Sequence, residues 1–324
     1  MSKISSGTVL ITGPTGGLGR SAIMAMAHRP EGERPDLLLV GRPGQALHDV
    51  GDEARAAVAT VHEISCDLAS LPDVRVAGAT VKDLLTSGAV RPLRGLVANA
   101  GLWVVDTRNA SADGYELTFA VNYLAYAQLI DGLLDSATTP ARIVLVGSNT
   151  YYANWVRRLM MVPAAEWRDP LEIAKPAGSD VSPTLKAAGV AFSNSKLAIL
   201  YYAHELQRRV PDGINVAVFE PGFMPGTGLS RQHGPGVQRM GRRMQRLPVP
   251  GIASPVESGP ALASVTLDER WAHLRDGHFV VIDKERDVMP IANDPDRERR
   301  LWDATKELLN QALSAYRCRS GVRR

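Results

Sequence analysis

The sequence predicts an α/β protein in which a doubly wound parallel β-sheet carries helices on both faces. Short, continuously apolar runs recur along the chain, they alternate with helical patterns, and the first of them passes through a glycine-rich turn straight into a helix. Runs of this kind suit strands buried on both faces, and alternation with helices implies parallel strands joined by crossovers.

The first strand is Thr8-Val9-Leu10-Ile11, then come Thr12-Gly13-Pro14-Thr15-Gly16-Gly17-Leu18-Gly19 and a helix over 20–28. A second buried strand, Asp36 to Arg42, closes one β-α-β unit. Further strands are expected over 59–65, 93–98, 142–147 and 214–219, with helices over 45–57, 73–86, 112–135 and 189–210. A helix over 255–267, a short strand over 278–282 and a helix over 295–316 finish the chain. Between Pro221 and Pro255 the composition turns to Gly, Pro and Arg, which marks 223–254 as an irregular segment, either disordered or a lid over a site. Its arginines, Arg231, Arg239, Arg242, Arg243 and Arg246, read as a solvated surface, and nucleic acid is not an expected partner.

Length and composition fit one domain over 1–324, in which 255–324 is a C-terminal extension that caps the substrate. The net charge is only +3, nothing at the start reads as a secretory signal, and no apolar run reaches the roughly 20 residues of a spanning helix. A soluble, cytoplasmic protein is expected. Cys66 and Cys318 lie far apart and read as inert thiols, and the seven histidines, His204 beside Glu205 included, show no zinc spacing. No metal is expected.

Glycines at 13, 17 and 19 let a backbone turn tightly, approach a pyrophosphate and seat a helix against a strand. A dinucleotide should bind there. At the end of the second strand an acidic residue would accept hydrogen bonds from a ribose hydroxyl, whereas a guanidinium pairs with phosphate. The residue is Arg42, so NADP(H) is expected over NAD(H), with Arg20 able to reach phosphate as well.

Taken together, these motifs resemble the short-chain dehydrogenase/reductase family along nearly the whole chain. Besides Thr12 to Gly19, the likeness rests on Cys66-Asp67-Leu68, Asn99-Ala100-Gly101, Asn122 within Phe119-Ala120-Val121-Asn122, Gly147-Ser148 and Pro221-Gly222. The tail, Arg299-Arg300-Leu301-Trp302-Asp303 with Glu307-Leu308, is similar to retinol-dehydrogenase-like members. The resemblance implies a Rossmann-like fold and a nucleotide held by Gly13, Thr15, Gly17, Leu18, Gly19, Arg42, Asp67, Leu68, Asn99, Ala100, Gly101, Lys196, Pro221 and Gly222. It implies catalytic positions at Asn122, Ser148, 192 and Lys196, with Asn122 helping to hold a water and the lysine. Family dimers pair the helices corresponding to 112–135 and 189–210, which leaves a homodimer open, with Tyr202 and Arg208 expected on the outer face.

The family's Tyr-x-x-x-Lys reads here Phe192-Ser193-Asn194-Ser195-Lys196. In the family the tyrosine passes a proton to or from the substrate oxygen, and phenylalanine has no hydroxyl to give. Such a group is worth about 10²- to 10⁴-fold in rate. Four readings stay open: a substrate needing no proton from this position, such as an iminium, a conjugated enone or a quinone-like ring; another acid, with Tyr151 and Tyr152 first; a non-redox cyclisation, dehydration or isomerisation, or binding alone; and an engineered substitution at 192. Phe223, Met224, Leu229, Met240, Met244 and Leu247, with Trp103, Trp155, Met160, Met161 and Trp167, suit a hydrophobic small molecule.

Overall fold

Alternate residues of the first strand face opposite layers: Val9 and Ile11 join one apolar cluster and Leu10 the other, which is the two-faced burial of a central parallel strand. The computed structural model describes residues 3–57, 59–153, 162–224, 253–275 and 277–320. The first half runs β1 (Thr8–Thr12), α1 (Gly17–Ala27), β2 (Asp36–Gly41), α2 (Gln45–Ala56), β3 (Val61–Ser65), α3 (Leu71–Thr86) and β4 (Leu93–Ala98). There follow α4 (Leu117–Phe119), a π-helical turn (Ala120–Leu124), α5 (Ala125–Leu133), β5 (Ala137–Val146), α6 (Pro170–Ile173), α7 (Leu185–Gln207) and β6 (Ile214–Glu220). Finally come α8 (Pro255–Leu267), β7 (His278–Val281), β8 (Lys284–Arg286) and α9 (Pro295–Ser320).

The sheet has eight strands in the order β3-β2-β1-β4-β5-β6-β7-β8, parallel throughout except for the antiparallel β7–β8 pair. This is a single α/β, Rossmann-like domain. One layer is built from α3, α5, α7 and α9, with Val74, Tyr126, Leu200 and Leu301 inside; the other comes from α1, α2 and α8, with Ile23, Val50 and Leu262 inside. Each such large aliphatic side chain, when fully buried, contributes about 1.5–3 kcal/mol.

Several expected boundaries move for local reasons. Residues 112–116 are not helical: Ala110 bridges Glu116, Ser111 N donates to Tyr115 O (2.8 Å), and the helix starts only at Leu117, where the Glu116 side chain accepts from Phe119 N at 2.7 Å. The long helix α7 begins four residues earlier than expected, because Thr184 caps it through Ala187 N at 3.1 Å. The exposed, three-residue β8 and the one-turn α6 had no periodic signal to reveal them.

The extension from α8 onward is part of both layers. Helix α9 packs along α7: Trp302 stacks on Tyr202 with centroids 5.5 Å apart, and Tyr123 Oη lies 2.5 Å from Thr305 Oγ1. Tyr202 is therefore buried, at 4% exposure, and not outward. One segment, Leu117–Ser136, does reach the length and apolarity of a membrane span, at mean hydropathy 1.2, yet 72% of it is buried inside the protein, as befits a core helix.

Candidate active site

The strand order reverses between β1 and β4, and in such sheets the crevice outside the C-terminal strand ends at that point is where ligands bind. Thr12 Oγ1 accepts from the N–H groups of Asn99 and Ala100, both at 3.0 Å, and Asn99 Nδ2 donates back to Thr12 O at 2.9 Å and Gly13 O at 3.1 Å. These bonds lock the turn after β1 to the end of β4. Gly13 sits at φ +66°, and a Cβ there would lie 2.7 Å from Ala100 Cα; at Gly19 a Cβ would lie 2.3 Å from Gly13 O. The two glycines are thus required by the packing of turn, strand and helix, and the Asn99 amide serves that packing too.

Thr15 and Gly17 remain exposed, and α1 carries no side-chain cap at its N-terminus. Its first-turn N–H groups are left for an anion, while Leu18 is buried beneath them. Around this cradle Arg42 is exposed just past β2, Asp67 is exposed just past β3, and Gly101 is exposed past β4, with Leu68 buried at 8% and Ala100 half-buried. Arg20 is not available in the same way: its guanidinium is held by Glu53 at 2.7 Å. Uncapped donors, a solvent-facing guanidinium and absent Cβ atoms suit a phosphorylated dinucleotide. Buried Cys66 has its thiol pushed up to about 12 by desolvation, helped by the Asp73 and Asp67 charges, and both cysteines are free.

The chemical end of the crevice lies across β4, β5 and β6. Lys196, on α7, is buried and its Nζ donates to Val146 O at 2.8 Å. Burial pushes its pKa down to about 8 against the upward pull of the Glu220 charge. Phe192, one turn earlier and 7% exposed, stacks on Trp103 at 5.8 Å with an interplanar angle of 30°, and Lys196 Nζ lies 5.6 Å from its ring centroid. Ser148 is extended and half-buried at the end of β5. Asn122, in the π-helical turn and fully buried, accepts from Leu102 N (2.8 Å) and donates to Leu102 O (3.0 Å) and Ser195 Oγ (3.1 Å). Its amide therefore ties the loop after β4 to α7 and makes no bond to Lys196.

The tyrosines after Ser148 differ from one another. Tyr151 is 1% exposed, its hydroxyl accepts from Met289 N at 2.9 Å, and burial raises its pKa to about 12, so it is a poor proton donor. Tyr152 is half-buried against it, ring to ring at 5.0 Å. Pro221 is buried and Gly222 half-buried at φ +80°, with Pro221 O accepting from Ser258 Oγ at 2.6 Å. Trp167 is half-buried and packs edge-on against Tyr201 at 4.9 Å, at the margin of the core. Phe223 and Met224 are half-buried beyond Gly222. Trp155, Met160, Met161, Leu229, Met240, Met244, Leu247 and the arginines from 231 to 246 lie outside the described residues. His204 is committed to Glu298 of α9 at 2.8 Å, and no cluster of metal-binding side chains occurs among the described residues.

Sequence reasoning missed Glu220. It is a carboxylate, 1% exposed, closing an otherwise apolar buried strand, directly before Pro221-Gly222. An acidic residue ending such a run was the available signal.

The family model described as short chain dehydrogenase matches residues 7–157. Protochlorophyllide reductase A, chloroplastic, of Oryza sativa subsp. japonica is 29% identical over 327 residues, covering 94% of this chain and 81% of that protein. A putative daunorubicin C-13 ketoreductase of Streptomyces sp. (strain C5) is 32% identical over 218 residues, 66% of this chain and 65% of that one. Among solved structures, a short chain dehydrogenase from Burkholderia cenocepacia J2315 in complex with NADP superposes with a TM-score of 0.61 at 18% identity, covering 87% of this chain and 98% of that one. Neighbours of this fold are solved with NAD as well as with NADP bound. Together these findings support the short-chain dehydrogenase/reductase family.

Proposed function

We propose that this chain is an oxidoreductase of the short-chain dehydrogenase/reductase type that binds NADP(H) and acts on a hydrophobic, conjugated small molecule requiring no proton from position 192. The observation that carries this reading is the buried Phe192 ring, stacked under Trp103 and one helical turn before Lys196, at the position where the family's tyrosine is expected. The relatives bear the names of reductases, of protochlorophyllide and of daunorubicin, and those names favour a reductive reading.

Bound nicotinamide would supply or accept the hydride. The chain's own residues would bind and orient it: the turn from Gly13 to Gly19, Thr15 and Leu18 included, and the N–H groups of α1 would hold the diphosphate, Arg42 would pair with the ribose phosphate, and Asp67 and Leu68 would serve the adenine. Asn99, Ala100, Gly101, Pro221 and Gly222 would line the nucleotide's place, and Lys196 would hold the nicotinamide ribose. Ser148 donates to a substrate oxygen, with Tyr152 beside it. Phe192 and Trp103 exclude water and offer ring faces. A carbonyl reduced here without a proton would be left as an alkoxide, whereas a conjugated acceptor spreads the charge over its own framework, so the loss of a phenol costs it little. The segment 223–254, expected to close over the site, lies outside the described residues except at Phe223, Met224, Ala253 and Ser254. A homodimer would need a surface other than that of α7 around Tyr202, which α9 takes.

The test is isotope transfer. NADPH deuterated at the reacting carbon is incubated with the protein and a panel of conjugated ring ketones and enones, whose reduction fixes the label on carbon, and products are read by mass spectrometry. Deuterium in a conjugated product is expected; turnover of a panel member without deuterium would replace this reading with a non-redox one.

A further inference from the structure

Strand β6 is buried from Val216 onward and ends in Glu220, which is as buried as the apolar residues before it. An ionised carboxylate in such a place is costly unless charge or hydrogen bonds compensate it. Its backbone is fixed on both sides: Ile282 N donates to Glu220 O at 3.0 Å, and Ser258 Oγ clamps the next carbonyl, that of Pro221. The register of β5 and β6 pairs Val146 with Phe219, and Gly147 N donates to Phe219 O at 2.8 Å. Glu220 therefore stands one step past the pair whose other member, Val146, supplies the carbonyl that holds Lys196 Nζ.

We propose that Glu220 is a positioning residue, the counter-charge that keeps Lys196 an ammonium in a crevice where position 192 offers no phenol. The register sets Glu220 beside that carbonyl, and strand alternation puts its side chain on the face of Val218, which packs in the same cluster as Leu197 and Leu200 of α7; only its use, presenting a charged donor to a nucleotide ribose, rests on the NADP(H) reading above. The groups acting on the lysine are few. Val146 O comes from β5, the Phe192 ring from α7 and the Glu220 carboxylate from β6. Tyr151, from the turn after β5, faces Glu220 as a neutral phenol, since burial lifts it to about 12. Desolvation, offset in part by the Glu220 charge, leaves Lys196 at about 8, so the ammonium is only marginally favoured near neutrality and removing that charge would lower it further.

The deciding measurement is a titration of the nucleotide-free protein in which isotope-labelled lysine Cε signals are followed by NMR and Lys196 is assigned with Lys196→Met. In Glu220→Gln, with folding verified by thermal melting, the Lys196 midpoint should fall by about one pH unit. Glu220→Asp, which keeps the charge, should hold it near the wild-type value. An unmoved midpoint in Glu220→Gln overturns the proposal. Should the glutamine variant not fold, the wild-type carboxyl decides: with Glu220 Cδ assigned through Glu220→Asp, its signal should shift across the Lys196 titration, and a Glu220 signal that does not respond to that titration overturns the proposal. NADPH fluorescence titrations give the linked readout, with Glu220→Gln binding about fivefold more weakly near pH 8 and the gap closing toward about pH 6. A wild-type protein that bound no NADPH would refute the cofactor reading and leave the lysine titration to decide the charge relation.

Discussion

Replacing Phe192 with tyrosine restores the missing proton donor at a site whose geometry allows the outcome to be estimated. The ring is 7% exposed, stacked on Trp103 at 5.8 Å, with Lys196 Nζ 5.6 Å from its centroid. The substitution adds a single hydroxyl and changes little else in volume. If that hydroxyl found no partner it would cost about 1–3 kcal/mol of stability. Against this, a positioned general acid is worth about 10²- to 10⁴-fold, or about 2.7–5.5 kcal/mol of barrier at about 1.36 kcal/mol per decade. The stability cost is read by Tm and the barrier by rate, so in a variant that stays folded the reduction of an unconjugated ketone should rise by at least about 100-fold. Conjugated acceptors, which do not need the proton at this point, should change by less than about tenfold. The assay follows NADPH consumption with matched pairs of saturated ketones and conjugated acceptors, alongside Tm. Equal acceleration of both classes, or of neither, in a folded variant would refute the reasoning.

Two further perturbations probe the nucleotide cradle and the clamp of the last helix. Arg42→Glu exchanges a phosphate-pairing guanidinium for a carboxylate; losing a charge-assisted bond of about 1.5–3 kcal/mol should weaken NADPH binding about 10- to 100-fold while NADH binding improves, as read by nicotinamide fluorescence. Glu298, 1% exposed on α9, receives His204 Nδ1 at 2.8 Å and Arg208 Nη2 at 2.5 Å. Burial pushes its carboxyl up, but the bonds and charges of His204 and Arg208 outweigh that and leave it below its ordinary 4.5. A carboxyl depressed in the folded state stabilises above its unfolded value and loses that contribution as pH falls through the folded one. Glu298→Gln should therefore lower stability by about 2 kcal/mol near neutrality, with the difference from wild type shrinking in acid. Thermal melts across that range check it, and a pH-independent difference would contradict it.

Much of the fold was readable because it is written locally. Gly13 and Gly19 announce a tight turn, and the two-faced burial of Val9, Leu10 and Ile11 shows as an unbroken apolar run. Where reading failed, the cause was usually a partner distant in sequence or a competing local signal. Tyr202 looks like an outer-face residue until Trp302, far later in the chain, stacks on it. The stretch 112–135 looks uniformly helical because its apolar residues hide the turn made by Ser111, Asp113 and Gly114, the last at φ +87°. Roles proved harder than positions: Asn99 and Asn122 stand in the crevice, but their amides are spent on backbone groups of Thr12, Gly13 and Leu102. Glu220 stands in the sequence as a carboxylate ending a largely apolar strand, but its burial depends on neighbours distant in the chain, Ile282 and Ser258 among them, which no local pattern reveals.

The central claim is that the crevice outside β1 and β4 grips a phosphorylated nicotinamide nucleotide. Calorimetric titration of the purified chain with NADPH and with NADH tests it most directly. Saturable NADPH binding, at least about tenfold tighter than NADH, is the predicted result. Absence of heat with both nucleotides would contradict the claim, and so would preference for NADH.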